Sequence, residues 1–449
     1  MNMSLYRKEA RRTLQLAAPI VVGQVSQMLM GLTDSLMIGH LGKVPLAASA
    51  FAGSIFGLFF TIGIGLLIPV AIKVSQAHGA EDKGEVGQAM KHGSAIALGS
   101  GIVCGLVMVG LGWQLRWFGQ PAEVLAKVQP YYTLIALSVV PTLMFQAMRH
   151  FAESLDRPWL PMVMMLAGVG LNVFLNWVLI YGNLGAAALG LTGAGWATLT
   201  SRILGMLLIY FWVSRAMSFR GVWPTNWFSG YEIKRLKGML ALGLPISISL
   251  SFEAGAFGAS AILMGWLGAT ALAAHQIAIT CAALTFMVPL GIAIAVSMRV
   301  GRALGANELE RIRPISHGAQ IMSALFMGGG ALLFVFMGET LASAFVKEQE
   351  VVALAAKLLV VAAIFQLTDG AQVVAASSLR GLSDVKVPTV ITAFAYWGLA
   401  LPLAYGLGFG LKWGGVGVWT GLAAGLTFAA VTLMWRFIWR TKALGGATS

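Results

Sequence analysis

Long apolar segments alternate with short polar ones along almost the whole chain. A helix needs about 20 mostly apolar residues to cross the hydrocarbon core of a bilayer. No polar stretch between the apolar segments is long enough to form a sizeable soluble domain. The pattern therefore predicts an all-α polytopic membrane protein with 12 transmembrane helices. The spans are predicted at residues 14–38, 46–72, 93–115, 129–148, 159–181, 187–213, 239–264, 272–298, 316–338, 352–379, 388–411 and 414–435.

The net charge of +13 follows from the loops and does not indicate a nucleic-acid partner. Of the 30 Lys and Arg residues, 23 lie in the two termini and in alternate loops, 6 lie on the opposite side, and Arg202 lies within a span. Cytoplasmic loops of membrane proteins carry the excess of Lys and Arg. We therefore expect a multi-pass protein of the cell inner membrane with both termini in the cytoplasm.

An internal repeat divides the chain into two homologous halves of six spans. Leu16–Ile20 recurs as Leu242–Ile246, and Gly39–Gly42 recurs as Gly265–Gly268, both at an offset of 226 residues. Because six is an even number, the two halves have the same orientation in the membrane. A pseudo-twofold axis along the membrane normal is predicted to relate them.

Each half is predicted to form one lobe. We expect an N-terminal lobe at 1–220 and a C-terminal lobe at 221–449, joined by a cytoplasmic linker at about 215–236. Transporters with such repeats place the substrate site near the bilayer midplane and alternate access by rocking one repeat against the other.

Three acidic residues lie inside predicted spans: Asp34, Glu253 and Asp369. A carboxylate at mid-depth costs about 2.5–3.5 kcal/mol on insertion scales, and such residues usually line a cavity or pathway. Polar or small residues lie at helical spacing from each acid, such as Gln27 beside Asp34. We interpret the three stripes as cavity linings. The alternative is helix-packing seams held by small and polar residues.

Glu253 and Asp369 belong to the same half, and no Lys or Arg of that half is predicted at their depth. Two carboxylates that face one apolar cavity cannot both stay ionised at low cost, so one takes a proton or a cation lies between them. Na⁺ needs several oxygen ligands, and the rings of Phe286 and Phe365 could attract a cation. The alternative is a protonated structural pair.

Asp34 has one potential ion-pair partner in its half, Arg202, which is the one base inside a span. A fixed pair would be structural, whereas an Arg202 that snorkels or faces a wet cavity would leave Asp34 free to exchange protons or contact substrate. Asn172 and Asn176 lie on one helical face and are candidate neutral partners of Asp34. They could equally be hydrogen-bonding contacts between helices.

Pro19 and Pro245 occupy equivalent positions of the repeat and are predicted to bend their helices, because proline removes one hydrogen bond of the helical ladder. These bends would be hinges in a transporter or fixed features otherwise. The chain lacks the Gly-x-x-x-x-Gly-Lys-Ser/Thr phosphate loop, the His-Glu-x-x-His metal motif and the Gly-x-Ser-x-Gly nucleophile motif. We therefore expect no enzyme and no cofactor other than a coupling ion.

Several short motifs, in order along the whole chain, resemble the multidrug and toxic compound extrusion (MATE) family, in its NorM-like branch. They are Gly31–Gly39 around Asp34, Asn172–Gly182, Phe252–Glu253 and Gln366–Val374 around Asp369. The resemblance implies two six-helix lobes in a V and export of varied organic cations against an inward Na⁺ or H⁺ gradient.

The resemblance also implies roles for particular residues. Glu253 and Asp369 match a span-seven Glu and a span-ten Asp that bind the coupling cation, and Phe286 matches an aromatic residue of that site. Asp34 matches an acid that serves the other lobe. Phe365 stands where the family often has a Tyr, which removes a potential Na⁺ ligand. The family pattern does not account for Arg202.

The sequence thus favours a secondary active multidrug efflux antiporter. Its expected partners are cationic amphiphiles and the lipid bilayer, without nucleic acid, and we expect a monomer. The alternatives are a flippase for a lipid-linked precursor or a dedicated metabolite exporter of the same architecture. A membrane-embedded enzyme that uses the acid pair is a third, less favoured interpretation.

Overall fold

The computed structural model describes residues 3–119, 121–224 and 226–446, and its regular elements over these ranges are helical. The long helices begin and end in the short polar segments that separate the apolar ones. They are α1 Met3–Gly39, α2 Lys43–Gly79, α3 Lys83–Gly112, α4 Ala122–Leu137, α5 Val139–Ser154, α6 Trp159–Tyr181, α7 Gly190–Arg215, α8 Ile233–Trp266, α9 Ala269–Gly305, α10 Leu309–Ser343, α11 Gln349–Gly381, α12 Lys386–Gly410 and α13 Gly414–Gly446.

These helices provide 12 segments in the described residues that are long and apolar enough to cross a membrane, which confirms the predicted fold class. Three of these spans are not plain α-helices, and one of the three, α10, is kinked at Met337. The fourth span, Ala122–Ser154, is interrupted at Ser138 between α4 and α5, and α12 contains π-helical turns at Phe394–Ala400 and Gly406–Gly410. Several helices are longer than their predicted spans, because hydropathy marks the apolar part of a helix and not its charged first turn.

The chain folds into two compact units, and the first helix of each repeat contributes to both. The N-unit is Val22–Ser247, and the C-unit is Met1–Val21 together with Ile248–Ser449. Helix α1 therefore passes from the C-unit to the N-unit after Val21, and α8 passes in the opposite direction after Ser247. Pro19 and Pro245 each lie two residues before these switch points, inside uninterrupted helices.

A glycine allows the closest helix approach at each switch point. A Cβ on Gly65 of α2 would lie 2.4 Å from the Cα of Ser247 in the N-unit. A Cβ on Gly291 of α9 would lie 2.4 Å from Val21 Cγ2 and 3.0 Å from its Cα in the C-unit. Gly65 and Gly291, like Val21 and Ser247, are 226 residues apart. The repeat thus preserves both members of a close backbone contact.

The start of α1 is fixed within the C-unit by a buried carboxylate. Glu9 is 1% exposed, and Arg299 of α9 donates to its carboxylate, to its backbone carbonyl and to Thr13 Oγ1. Arg311 Nε of α10 donates to Glu9 Oε1 at 3.1 Å. The ring of Tyr6 stacks on His317, with centroids 6.4 Å apart.

The start of α8 is fixed within the N-unit by a more exposed network. Arg235 donates to the Glu85 carboxylate of α3, and the two side chains are 33% and 39% exposed. The backbone N–H of Glu232 donates to His92 Nε2 at 3.0 Å. The Tyr231 ring contacts His92 edge-on, with centroids 5.4 Å apart.

Candidate functional site

The N-unit contains a cavity of about 270 Å³ whose lining includes two charged residues, Asp34 of α1 and Arg202 of α7. Gln27 of α1 and Gln146 of α5 add polar groups to the wall. The rest of the lining is mainly aromatic and apolar and includes Phe56, Phe60, Phe145, Met164 and Met165. The predicted stripe on α1 therefore lines a cavity.

Asp34 is hydrogen-bonded to the asparagine pair of α6. Asn176 Nδ2 donates to Asp34 Oδ1 at 2.5 Å and to Asn172 Oδ1 at 3.2 Å. Both asparagines are fully buried, and their i, i+4 spacing places them on one helical face. Among the described residues, Asn172 Nδ2 and Asn176 Oδ1 have no partner. The acid is thus neighboured by amide groups with unused hydrogen-bonding capacity.

Arg202 has other partners than Asp34. Its Nη1 donates to Ser138 Oγ at 2.6 Å, and its guanidinium carbon lies 4.2 Å from the centroid of the Phe56 ring. Ser138 is available because the fourth span is interrupted at this residue. The structure therefore favours the arrangement in which Arg202 faces the cavity over a fixed ion pair with Asp34.

The C-unit brings Glu253 of α8 and Asp369 of α11 close enough to interact electrostatically. Aromatic contacts join the two helices one turn away from the acids. The Phe257 ring packs edge-on against Phe365 at a centroid distance of 6.0 Å and against Tyr396 of α12 at 6.2 Å. The predicted pairing of the two carboxylates thus has a structural basis in the packing of α8 against α11.

Asp369 is 5% exposed, and further buried polar atoms without partners in the described part of the chain lie one helical turn away at Gln366 and beside the next residue at Ser323. Among the described residues, Asp369 Oδ1, both side-chain polar atoms of Gln366 and Ser323 Oγ accept or donate no hydrogen bond. A Cβ added to Gly370 would lie 2.6 Å from Ser323 Oγ, so this hydroxyl lies against α11 beside the acid. Nearly all buried polar groups in proteins are paired with protein, water or an ion.

Carboxylate, amide and hydroxyl oxygens such as these are suited to bind a hard monovalent cation or water, and are less suited to bind a transition metal. The described residues contain no group of three or more His, Cys, Asp or Glu side chains that could hold a metal ion. A Na⁺ ion here would need Glu253, Asp369, neutral oxygens such as those of Gln366 and Ser323, and water. A proton would need only one of the carboxylates.

The two phenylalanines differ in their surroundings. Phe365 is 2% exposed and packs against Trp419 at a centroid distance of 5.7 Å as well as against Phe257. Phe286 of α9 is partly buried, and the described ring contacts do not include it. Phe365 therefore contributes to the wall of the acid site through packing.

Two groups near the acids were missed by sequence reasoning. We expected no base of this half near the pair, but Arg380 interacts electrostatically with Glu253. Arg380 is in the last turn of α11, and a long arginine side chain can extend well beyond its own turn. Tyr396 donates to Gln372 Oε1 at 3.0 Å and lies within electrostatic range of both acids. Tyr396 lies in a π-helical segment, where the α-helical period does not show which residues share a face.

The described residues contain twelve candidate spans, and the chain is duplicated, with an acid inside a span of each unit. These features define a membrane transporter built from two parallel repeats. A family profile described as MatE matches residues 19–178 and 245–406. The chain therefore belongs to the MatE family, which confirms the resemblance drawn from its motifs. The two matched ranges begin at Pro19 and Pro245, the equivalent prolines of the repeat.

Relatives and solved structures agree with this assignment. The chain is 35% identical to the "Probable multidrug resistance protein NorM" of Mesorhizobium japonicum, with 98% of this chain and 96% of that protein covered. It is 35% identical to the "Multidrug resistance protein PmpM" of Pseudomonas aeruginosa, with 95% and 91% covered. The crystal structure of a mutant of the Vibrio cholerae MATE transporter VcmN is similar in fold, with a TM-score of 0.91, 23% identity and 98% of each chain covered. The two relatives are named as multidrug resistance proteins and VcmN as a transporter, and none of the three is named as an enzyme.

Proposed function

We propose that this protein is a secondary active multidrug efflux antiporter that exports organic cations in exchange for Na⁺ or H⁺. The proposal is carried by one observation: each unit has an acid of a membrane-spanning helix close to polar atoms that lack partners within the described residues. The names of the NorM and PmpM relatives support multidrug export as the activity. We propose the membrane location as the inner membrane, with both termini in the cytoplasm and a monomer as the working form.

In this proposal Glu253 and Asp369 bind the coupling cation, with Phe286 and Phe365 in the wall of the site. Asp34 exchanges protons or contacts substrate, supported by Asn172, Asn176 and Gln27. Ion and substrate are coupled if binding of one weakens binding of the other in one of two facings. The N-unit and the C-unit would alternate access, with bends at Pro19 and Pro245.

A flippase for a lipid-linked precursor is less well supported. Such a ligand carries phosphate and requires several bases in its cavity, whereas the N-unit cavity contains Arg202 and an acid. A dedicated metabolite exporter would have the same architecture and would differ from the proposed protein in transporting a single compound.

The proposal is tested by efflux of a fluorescent cation from proteoliposomes under an imposed Na⁺ or H⁺ gradient. We expect one gradient to drive export by wild-type protein. Asp369→Asn and Glu253→Gln should each reduce gradient-driven export at least tenfold, because neither amide can bind and release the coupling ion. Glu339→Gln is the matched control, since it removes an exposed acid of α10. Export by wild-type protein that is indifferent to both gradients would contradict the proposal.

A further inference from the structure

Arg202 has no role in the transport cycle proposed above, yet it is held at the wall of the N-unit cavity. Ser138 Oγ accepts from its Nη1, and the Phe56 ring lies under the guanidinium. A guanidinium carries five N–H donors, and the contacts described for Arg202 use one of them. The cation is therefore fixed in position with most of its donors available to a ligand.

Direct pairing does not neutralise Arg202. Asp34 is the carboxylate of the same cavity, and its Oδ1 accepts from Asn176, while no ion pair joins it to Arg202 within the described part of the chain. A charge in an apolar cavity is costly unless it is paired. The cavity thus presents a separate acid and a separate base to whatever enters it.

The remaining wall suits a flat aromatic ligand. Phe56, Phe60 and Phe145 provide ring faces and edges, and Met164 and Met165 provide adaptable apolar surface. The cavity of about 270 Å³ can hold a substituted phenyl ring, since a cavity of about 150 Å³ holds benzene. Guanidinium groups bind carboxylates through paired hydrogen bonds, which sets both the position and the orientation of the ligand.

We infer that Arg202 recognises the carboxylate of dipolar aromatic substrates, whose cationic group lies toward Asp34. This inference rests on the proposed export function and names the substrate class of the N-unit cavity. A fixed base repels a ligand that is only cationic and attracts one that carries a carboxylate beside its cation. The cavity therefore discriminates between organic cations by their anionic group.

The experiment compares two probes that differ in one group and are each a substituted phenyl ring, 4-(aminomethyl)benzoate and its methyl ester. Isothermal titration calorimetry of each probe with purified protein gives two dissociation constants for each variant. Arg202→Gln should weaken binding of the carboxylate probe by about 10- to 100-fold, as expected for loss of a charge-assisted hydrogen bond. Binding of the ester should stay within about twofold, so the ratio of the two constants changes.

Arg215→Gln is the matched control. Arg215 lies on the same helix and its guanidinium carbon lies 4.1 Å from the centroid of the Phe211 ring, but it does not line the cavity. This variant removes the same charge and the same kind of aromatic contact and should leave the ratio unchanged. Arg202→Lys keeps the charge without the planar fork and should show a smaller change than Arg202→Gln.

Two results would overturn the inference: an unchanged ratio in Arg202→Gln, or equal weakening of both probes, which would mean a structural role. If Arg202→Gln does not fold, Ser138→Ala decides, because it releases the guanidinium and should weaken the carboxylate probe alone. Gradient-driven export of the ester separates the two proposals. Wild-type protein that exports the ester under neither gradient contradicts the antiport function, whereas the binding ratio still decides the role of Arg202.

Discussion

The starts of α1 and α8 occupy equivalent positions of the repeat, but the ion pairs that fix them have opposite polarity. Glu9 of α1 contacts Arg311, whereas Arg235 of α8 contacts Glu85. Residues 9 and 235, like residues 85 and 311, are 226 apart. The two repeats have therefore kept the contact and exchanged the charges. This position requires an ion pair, and either partner can carry the negative charge.

The aromatic contacts beside these ion pairs keep their residue types. Tyr6 packs on His317 and Tyr231 packs on His92, and both members of the two contacts are 225 residues apart. Each switch of a helix start between units is thus fixed by a tyrosine–histidine contact, an ion pair and a glycine. Three independent features at one location indicate that, in each repeat, the first helical turns pack in the unit formed mainly by the other repeat.

The two ion pairs differ most in exposure. Glu9 is 1% exposed and is shared by two arginines, whereas Glu85 and Arg235 are 39% and 33% exposed. Removing one partner of a buried pair costs about 3–5 kcal/mol, because the other charge stays buried without compensation. An exposed pair contributes about 0–1 kcal/mol. The comparison therefore predicts unequal effects from equivalent changes.

The largest effect is expected for Glu9→Gln. This variant leaves the buried Arg299 without a carboxylate, whereas Arg311 keeps Glu308, and it should lower the free energy of unfolding by about 3–5 kcal/mol. The measurement is the apparent melting temperature of the purified protein at a fixed heating rate, because unfolding of large proteins is often irreversible. Glu85→Gln is the matched control and should lower the melting temperature far less. Equal shifts in the two variants would contradict the difference in burial.

The spans, the repeat and the acids could be predicted because residue type and hydropathy are sufficient to identify them. Asp34, Glu253 and Asp369 stand out as charged residues within apolar segments, and in the structure polar atoms that lack partners among the described residues lie close to Asp34 and Asp369. The switch of the helix starts between units could not be predicted in the same way. A constant offset shows which residues correspond, but it does not show the unit in which a helix start packs.

Side-chain partners were the other limit of sequence reasoning. Glu9 and Arg311 are 302 residues apart, and neither is unusual in a cytoplasmic segment. Arg202 was recognised as exceptional, but its contact with Ser138 depends on an interruption of the fourth span that hydropathy does not reveal. Such contacts follow from the three-dimensional packing of helices and not from the period of any one of them.

An intermediate effect is expected for alanine at the two glycines of the switch points. Gly65→Ala would place a Cβ 2.4 Å from the Ser247 Cα, so backbone must move, at a cost of about 1–3 kcal/mol. In Gly291→Ala the nearest atom is Val21 Cγ2, a side-chain atom. Val21→Ala should therefore rescue part of the melting temperature of Gly291→Ala, because the Val21 Cα stays 3.0 Å from the new Cβ, whereas Ser247→Ala should not rescue Gly65→Ala. Rescue in both units, or in neither, would show that the two contacts are alike.

The smallest effect, and the sharpest test of polarity, is expected for exchange of the charges in the N-unit. Glu85→Arg alone places two like charges together and should lower the melting temperature by an amount equivalent to about 1 kcal/mol or less. Adding Arg235→Glu restores an ion pair with position 85 and gives the polarity of the C-unit, so the double variant should recover most of the wild-type value, less the exposed pair of Arg235 with Glu232. The corresponding exchange of Glu9 and Arg311 should not recover the wild-type melting temperature, because Arg299 also contacts position 9 and would meet an arginine there.

A double-mutant cycle with the four proteins of each unit measures the coupling free energy of the ion pair. A coupling free energy of zero in the N-unit would mean that the exposed ion pair does not fix the start of α8 and that the tyrosine–histidine contact and the glycine suffice.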